Sequence, residues 1–181
     1  MKRLALILAA VMLPSLTTAQ QPGLLVLSVN QVELDVIVDD LAPGTTSVYV
    51  VHLLTDGSTA SAFRYMEYPG VTMVRVGDSP APGMIAVGNL DTGMEVLYQE
   101  CKVEGFFPIY RIDYQTFGTS TPCSFLQVGP HPTYAAIRVT DCMGGTIDQP
   151  YAAVAVVNPD ATCNPGPTAS STWGRVKALY R

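Results

Sequence analysis

Apolar residues recur along most of this chain with the two-residue alternation of β-strands. In the segment 32–39, Val and Leu alternate with Glu, Ile and Asp, which predicts a strand with one buried face and one mostly acidic face. The segment 48–54 is apolar on both faces, which predicts a central strand covered on both sides. Further strand-like runs, bounded by turns rich in Gly, Pro or Asp, lie at 62–67, 71–76, 84–87, 94–99, 109–117, 125–128, 134–140 and 151–157.

Such a series of short strands, with no helix of useful length between them, predicts antiparallel sheets packed face to face. The expected fold class is all-β: a single antiparallel β-sandwich of about nine to ten strands, immunoglobulin-like or jelly-roll. Residues 20–163 form one domain in this interpretation, since the segment has no internal repeat. The composition of 48% apolar and 14% charged residues excludes a disordered tail protein.

The first 19 residues have the pattern of a secretory signal peptide. Lys2 and Arg3 precede an apolar run at 4–16, and small residues follow at 17–19. An apolar run of about 13 residues is too short to cross a bilayer core of about 30 Å. We therefore expect an exported protein, secreted or at the cell surface, without a transmembrane segment.

The end of the chain differs from the sandwich in composition and charge. Residues 164–170 have the Pro and Gly content of a linker, and 171–181 predict a short helical tail. The segment 20–170 has 5 basic and 15 acidic residues, whereas the tail has three basic residues and no acidic one. The side chains expected to anchor the tail are Trp173, Arg175, Lys177, Tyr180 and Arg181.

Two roles fit this tail. It could dock on the acidic sandwich of its own chain, or it could be an attachment segment that engages export or surface machinery, with a lipid-surface anchor as a lesser alternative. The basic residues of 20–170 form no cluster that could follow a phosphate backbone, so nucleic-acid binding is excluded.

The four cysteines predict two disulfides, because an even number of cysteines in an exported chain is typical of disulfide pairing. Their wide spacing does not match a structural zinc site. Of the three possible pairings we expect Cys123–Cys142 with Cys101–Cys163. The runs 124–128 and 134–140 would form a hairpin across a Gly-Pro turn and bring the ends of the first pair together.

No motif in the chain fixes a catalytic activity. Nucleophile elbows, zinc-protease helices and phosphate-binding loops are absent from the sequence, which leaves carboxylates as the plentiful reactive group. A glycosidase needs two carboxylates about 5–9.5 Å apart. The candidates could meet across a hairpin of 94–103 and 109–117, although a solvated strand face is the interpretation we favour: Glu95, Glu100, Glu104 and Asp113.

Two other residue types could form sites. Aspartates at turns could hold calcium, although the chain lacks an Asp-x-Asp-x-Asp-Gly loop; these are Asp39, Asp40, Asp56, Asp91 and Asp141. Aromatic residues sharing one strand face could stack a sugar or fill the core, and we favour the core: Phe63 and Tyr65 on one strand, Tyr110, Ile112 and Tyr114 on another. We expect His52 inside the sheet and His131 exposed in its turn.

The tail Ser-Thr-Trp-Gly-Arg-Val-Lys-Ala-Leu-Tyr-Arg at 171–181 resembles the C-terminus of uncharacterised secreted proteins of environmental bacteria. A Val-Tyr-Val-Val-His strand at 48–52, a Gly-Asn-Leu-Asp-Thr-Gly turn at 88–93 and the following Cys101 also resemble that group, which implies no known activity. The order of the runs 62–65, 71–76 and 109–117 resembles cohesin-type sandwiches, which implies a non-catalytic recognition module.

The sequence therefore favours a secreted, non-catalytic binding or structural module without a cofactor, acting on an extracellular protein or glycan. Two alternatives remain open. One is a carbohydrate-active hydrolase that uses a carboxylate pair, and the other is a subunit of a surface fibre or layer that pairs through open sheet edges.

Overall fold

The structure is a computed structural model, and it describes residues 23–54, 57–103, 105–149 and 153–163. Within these residues the chain forms β-strands and no helix. In chain order the strands are β1 (Leu24–Ser28), β2 (Ile37–Val38), β3 (Pro43–Leu54), β4 (Ser58–Glu67), β5 (Val74–Pro80), β6 (Met84–Asn89), β7 (Gly93–Lys102), β8 (Gly105–Phe117), β9 (Ser124–Gly129), β10 (Ile137–Thr140), β11 (Thr146–Gln149) and β12 (Ala153–Val157).

The strands form two sheets packed face to face. Sheet 1 has the order β1-β3-β8-β5. Sheet 2 has the order β11-β10-β4-β9-β12-β2, with β7 also paired to β4 and β6 paired to β7. The pairings are antiparallel except that of β2 with β12. This arrangement confirms the predicted all-β antiparallel sandwich, with twelve strands in the described residues in place of nine or ten, most of them longer than the runs that predicted them.

Side chains from the inner faces of both sheets fill one main core. Burying such apolar side chains stabilises a fold by about 1.5–3 kcal/mol each relative to leaving them in water. The aromatic residues for which a sugar platform and a core position were both considered lie in this core with the isoleucine between them, as we favoured: Phe63, Tyr65, Tyr110, Ile112 and Tyr114.

Strand β3 is covered on both sides, as its sequence predicts. Val50 faces the main core, whereas Val51 and Leu53 form a second, smaller cluster with Val26 on the other face of sheet 1. His52 is fully buried on the inner face, which confirms its predicted interior position.

The first predicted strand is mostly wrong. Only Ile37 and Val38 of the segment 32–39 pair, and Val32 is 81% exposed. The chain turns here instead, because the hydroxyl of Ser28 binds the backbone oxygen of Glu33 and the backbone nitrogen of Asp35. Strand β1, which precedes this turn, supplies the edge of sheet 1 and was not predicted.

Strands β9 and β10 do not form the expected hairpin. Both run antiparallel to β4 along the same edge, with Arg64 opposite Gly129 and Ala62 opposite Arg138. The residues between them form a side loop, closed by a hydrogen bond of 2.8 Å from the His131 backbone nitrogen to the Ala136 oxygen. The chain therefore leaves the sheet and rejoins it without reversing direction.

This connection explains why the expected cysteine pairing is wrong. All four cysteines form disulfides, as predicted, but the bonds are Cys101–Cys142 and Cys123–Cys163, with Cα atoms 5.4 and 5.8 Å apart. Cys123 and Cys142 lie at opposite ends of the β9–β10 path, since both strands run in one direction along β4. The hairpin on which the expected pairing depended does not exist.

Several expectations concern residues outside the described ranges. These are the signal peptide at 1–19, the linker at 164–170 and the helical tail at 171–181 with its anchoring side chains. Among the residues that the structure does describe, no helix has the length and apolar composition needed to cross a membrane.

Candidate functional site

The carboxylates proposed for a hydrolase do not come together. Strand β7 pairs with β4 and β6 in sheet 2, whereas β8 pairs with β3 and β5 in sheet 1. The hairpin that would have joined Glu95 and Glu100 to Asp113 is therefore absent, and the fourth candidate, Glu104, lies outside the described residues. The chain crosses between the sheets where a tight turn was expected.

Each of the three described carboxylates has a separate partner. Glu95 accepts a hydrogen bond of 2.6 Å from the Tyr134 hydroxyl, and Glu100 forms an ion pair with Lys102. Asp113 accepts hydrogen bonds from the hydroxyl of Ser47 at 2.6 Å and from Nε of Arg111 at 2.7 Å. These contacts hold the three carboxylates apart, each on a partner of its own, which is unlike an acid–base pair.

The hydrogen bonds of Asp113 change the pKa of its carboxyl group. Burial raises the pKa of its carboxyl group, but hydrogen bonds from Ser47 and Arg111 outweigh burial and lower the pKa below its ordinary value. A general acid near neutral pH needs a raised pKa instead. Asp113 therefore lacks the protonation state of the general acid in glycoside cleavage.

Three of the described aspartates suggested for calcium, Asp40, Asp91 and Asp141, bind groups of the protein itself. Asp40, 1% exposed, accepts hydrogen bonds from the backbone nitrogens of Phe117, Gly118 and Ser120 at 2.7–2.9 Å. Asp141 caps the turn at Met143 in the same way.

The other three turn aspartates differ from one another. Asp91 pairs with Arg75, Asp39 is exposed, and Asp56 lies outside the described residues. Within the part of the chain that the structure describes, the one cluster of metal-ligating atoms is Cys123, Asp160 and Cys163. Its two sulfur atoms are joined as a disulfide, so they cannot act as thiolate ligands.

The two histidines are both internal. The His52 Nδ1 lies 2.8 Å from the Tyr98 hydroxyl, which is 2.5 Å from the Ser61 hydroxyl. None of these three residues is more than 7% exposed, so no substrate could reach them. They form a polar contact between the two sheets, since His52 belongs to β3 and Ser61 to β4.

The expected exposure of His131 is wrong, because this residue is only 7% exposed. Its ring stacks on Tyr134 with 4.9 Å between centroids and covers the Cα of Gly93, where any Cβ would collide with it. Gly93 has φ of 126°, so its lack of a side chain serves both the backbone and the histidine.

A different surface stands out on the outer face of sheet 2. Tyr68 and Phe125 are 42% and 36% exposed and lie opposite each other, joined by a 3.0 Å backbone hydrogen bond. Val154, 45% exposed, lies one strand further along, opposite Gln127. We call Tyr68, Phe125, Gln127 and Val154 the aromatic patch.

Polar side chains lie next to the Tyr68 ring of the aromatic patch. The Tyr68 hydroxyl donates a hydrogen bond to Gln127 Oε1, which holds the two side chains side by side. Met66 lies opposite Gln127 on β4, and Arg64 lies two residues before Met66 on the same face. The guanidinium Nη2 of Arg64 contacts Met66 Sδ at 3.1 Å.

Sequence reasoning did not find this patch. Tyr68 follows a predicted strand and precedes a Pro-Gly turn, and Phe125 begins a run for which the sequence predicted a strand but no exposed face. The available signal was Arg64, a lone cation in an otherwise uncharged stretch of strand at 58–66. A charge at such a position has to find a partner or face solvent.

Comparisons with known proteins find similarity among solved structures. No protein-family model and no curated protein matches the chain. Among solved structures, a cohesin module from a Clostridium perfringens family 33 glycoside hydrolase is 10% identical, covers 76% of this chain and 99% of that one, and gives a TM-score of 0.49. The sixth cohesin of Acetivibrio cellulolyticus scaffoldin B, solved with a dockerin, is 9% identical, covers 77% and 100%, and gives 0.46. Both are cohesin modules, the type of sandwich that the sequence runs 62–65, 71–76 and 109–117 resemble.

Proposed function

We propose that this chain is a secreted, non-catalytic binding module, and that its ligand, an extracellular glycan or protein, rests on the aromatic patch. The observation that carries the proposal is the exposure of Tyr68 and Phe125, opposite each other on one face of a sheet. Exposed aromatic side chains on a rigid sheet stack on sugar rings or anchor protein ligands without losing much conformational freedom. The two disulfides support a role outside the cytoplasm.

The contrast with an enzyme supports the same proposal. A hydrolase requires two carboxylates within reach of one substrate, whereas each described candidate is held by a partner of its own. A binding module requires only a surface. We accordingly propose that the chain acts without catalysis.

Truncation of the aromatic patch tests the proposal. Affinity electrophoresis and pull-down would compare the wild type with a Tyr68→Ala, Phe125→Ala double variant on a panel of polysaccharides and on cell-envelope fractions of the host. We expect at least about a tenfold loss of affinity in the double variant, because aromatic anchors dominate such surfaces. The matched control is Phe117→Ala, since Phe117 is 44% exposed but lies on β8 of the other sheet.

Two results would reject this function. One is equal binding by the wild type and the double variant. The other is release of reducing sugar by the wild type that disappears in Glu95→Gln, which would restore the hydrolase alternative.

A fibre or layer subunit is the second candidate, and the open edge of β6 favours it. The stretch 81–90 has no charged residue, and Ile85 and Val87 on β6 are 52% and 56% exposed. Open edges normally have charges, prolines or bulges that prevent pairing with another strand. In sheet 1, the edge strand opposite β1 is β5, and it has all three of these features.

Sedimentation velocity across a concentration series tests this candidate. Assembly that Val87→Lys abolishes, and Val154→Lys does not, would establish pairing through β6. A monomer at every concentration would reject it.

A further inference from the structure

Arg64 differs from the other basic residues of the sandwich. The described residues contain five cations, and four of them form ion pairs with carboxylates: Arg75, Lys102, Arg111 and Arg138. Arg64 forms none, and the Nε of its guanidinium is buried without a hydrogen bond within the described residues. Its contact with a thioether sulfur is a weak one.

An unneutralised guanidinium is unexpected in a segment with 5 basic and 15 acidic residues. The nearest carboxylates on the same face are level with Ala62 on the neighbouring strands, and both already have a partner within the protein. Glu95 accepts the hydrogen bond of Tyr134, and Asp148 forms a two-point ion pair with Arg138. Among the described residues no carboxylate therefore pairs with Arg64, and its charge can attract an anionic group of a ligand.

Arg64 lies in line with the aromatic patch. On β4 it shares the outer face with Met66, and Tyr68 follows two residues later, next to Gln127. Residues two apart on a strand are about 6.6 Å apart, so Arg64 and Tyr68 span about 13 Å. Gly129 faces Arg64 across the strand pair, and the methyl group of Met66 occupies the space that a Cβ of Gly129 would fill. An elongated ligand could lie along β4 and touch both ends.

We propose that the aromatic patch binds an acidic polysaccharide, with sugar rings stacked on Tyr68 and Phe125 and a uronic carboxylate paired with Arg64. The proposal rests on the binding function above and names its ligand class. A guanidinium pairs with a carboxylate through two parallel hydrogen bonds, and an amide such as that of Gln127 binds sugar hydroxyl groups. An acidic peptide offers carboxylates but no rings for stacking, which is why a glycan fits these residues better.

The probes are polygalacturonate, alginate and hyaluronate, with carboxyl-reduced polygalacturonate as the matched neutral polymer and poly-L-glutamate as the acidic peptide. Binding is measured by affinity electrophoresis and calorimetry at about 0.15 M salt, where charges more than about 8 Å apart are screened. We expect the wild type to bind at least one acidic polysaccharide, and to bind polygalacturonate about tenfold or more tightly than its reduced form.

Single substitutions distinguish the proposed acidic ligand from the more general binding function of the aromatic patch. Arg64→Gln should lose the preference for the carboxylated polymer but keep weak binding through the aromatic rings, and Arg64→Lys should restore part of the preference. Arg111→Gln, which removes an exposed arginine of sheet 1, should change nothing. Unchanged melting temperatures establish that the variants are folded.

Three results would overturn the inference: no binding to any of the acidic polysaccharides, equal preference in Arg64→Gln and the wild type, or equal affinity for poly-L-glutamate. If Tyr68→Ala with Phe125→Ala retains full binding to every probe that the wild type binds, the function itself is rejected. A loss of binding in that double variant with no effect of Arg64→Gln rejects only the acidic ligand.

Discussion

Arg75 on β5 and Glu67 on β4 form an ion pair, with 3.0 Å between Nη2 and Oε1, that joins the two sheets. Arg75 also pairs with Asp91 in the β6–β7 turn at 3.0 Å. Glu67 in turn accepts a hydrogen bond of 2.7 Å from the hydroxyl of the buried Tyr114. One guanidinium thus connects the edge of sheet 1 to two points of sheet 2.

Replacing Arg75 with Met should therefore destabilise the fold. We expect the free energy of unfolding to fall by about 2–3 kcal/mol, because Glu67 would remain partly buried without its cation. Urea denaturation at neutral pH measures this change. The control is Arg111→Met, which removes an exposed ion pair within sheet 1 and should have a much smaller effect on the free energy of unfolding. Equal effects of the two substitutions would contradict a special role for Arg75.

The carboxylate of Asp40 makes the free energy of unfolding depend on pH. Burial raises its pKa, but hydrogen bonds from Ser120 and from the backbone of Phe117 and Gly118 outweigh this effect and hold the pKa at about 2. Because the folded pKa lies below the ordinary value of 3.8, the stabilisation is complete above pH 4 and is lost as the pH falls toward 2. We expect this loss in denaturation curves recorded across that range.

Asp40→Asn tests the assignment. The variant should be about 2 kcal/mol less stable at pH 7, and the difference from the wild type should shrink toward pH 2. Asp39→Asn, at an exposed position next to it, should show neither effect. A constant difference at all pH values would point to packing instead of charge.

The disulfides can be checked directly. Peptide mapping without reduction should find Cys101 joined to Cys142 and Cys123 joined to Cys163. Replacing Cys123 and Cys163 together with Ser should lower the free energy of unfolding by about 2–4 kcal/mol, the usual effect of losing a disulfide that closes a long loop. Four free thiols in the denatured, unreduced protein would contradict both bonds.

We predict that the basic tail at 171–181 is separable from the sandwich. The described residues already enclose a continuous core, and the predicted linker at 164–170 follows the last cysteine. A protein that ends at residue 170 should melt within a few degrees of the full chain in calorimetry. A large drop in the melting temperature would mean that Trp173 or Tyr180 contributes to the fold.

The sequence predicted the sandwich because alternation alone determines which side chains are buried. Val48, Val50 and His52 were placed inside by their spacing. By the same rule, the tyrosines of β8 were placed on the face of that strand that does not carry Arg111 and Asp113. Such inferences need no knowledge of which strands are neighbours. They held for the runs that pair in a sheet, whereas the equally regular segment 32–39 begins in a turn and pairs only at Ile37 and Val38.

Predictions that depended on strand pairing did not hold. The cysteine pairs and the carboxylate cluster both assumed that consecutive strands form hairpins, whereas β9 and β10 share one edge of β4 and β7 and β8 belong to different sheets. Alternation also could not tell which face of β9 points outward, so the exposure of Phe125 was not predicted. Long-range pairing decides these points, and a single sequence has no local signal for it.

The two disulfides interleave along the chain, since Cys123 lies between Cys101 and Cys142, and Cys142 lies between Cys123 and Cys163. Every peptide bond from 101 to 163 is therefore spanned by at least one of the bonds. A protease that cuts once anywhere in this interval cannot release a fragment, because the two halves stay covalently joined. An exported protein that meets proteases would keep its sandwich and its outer face together after such a nick.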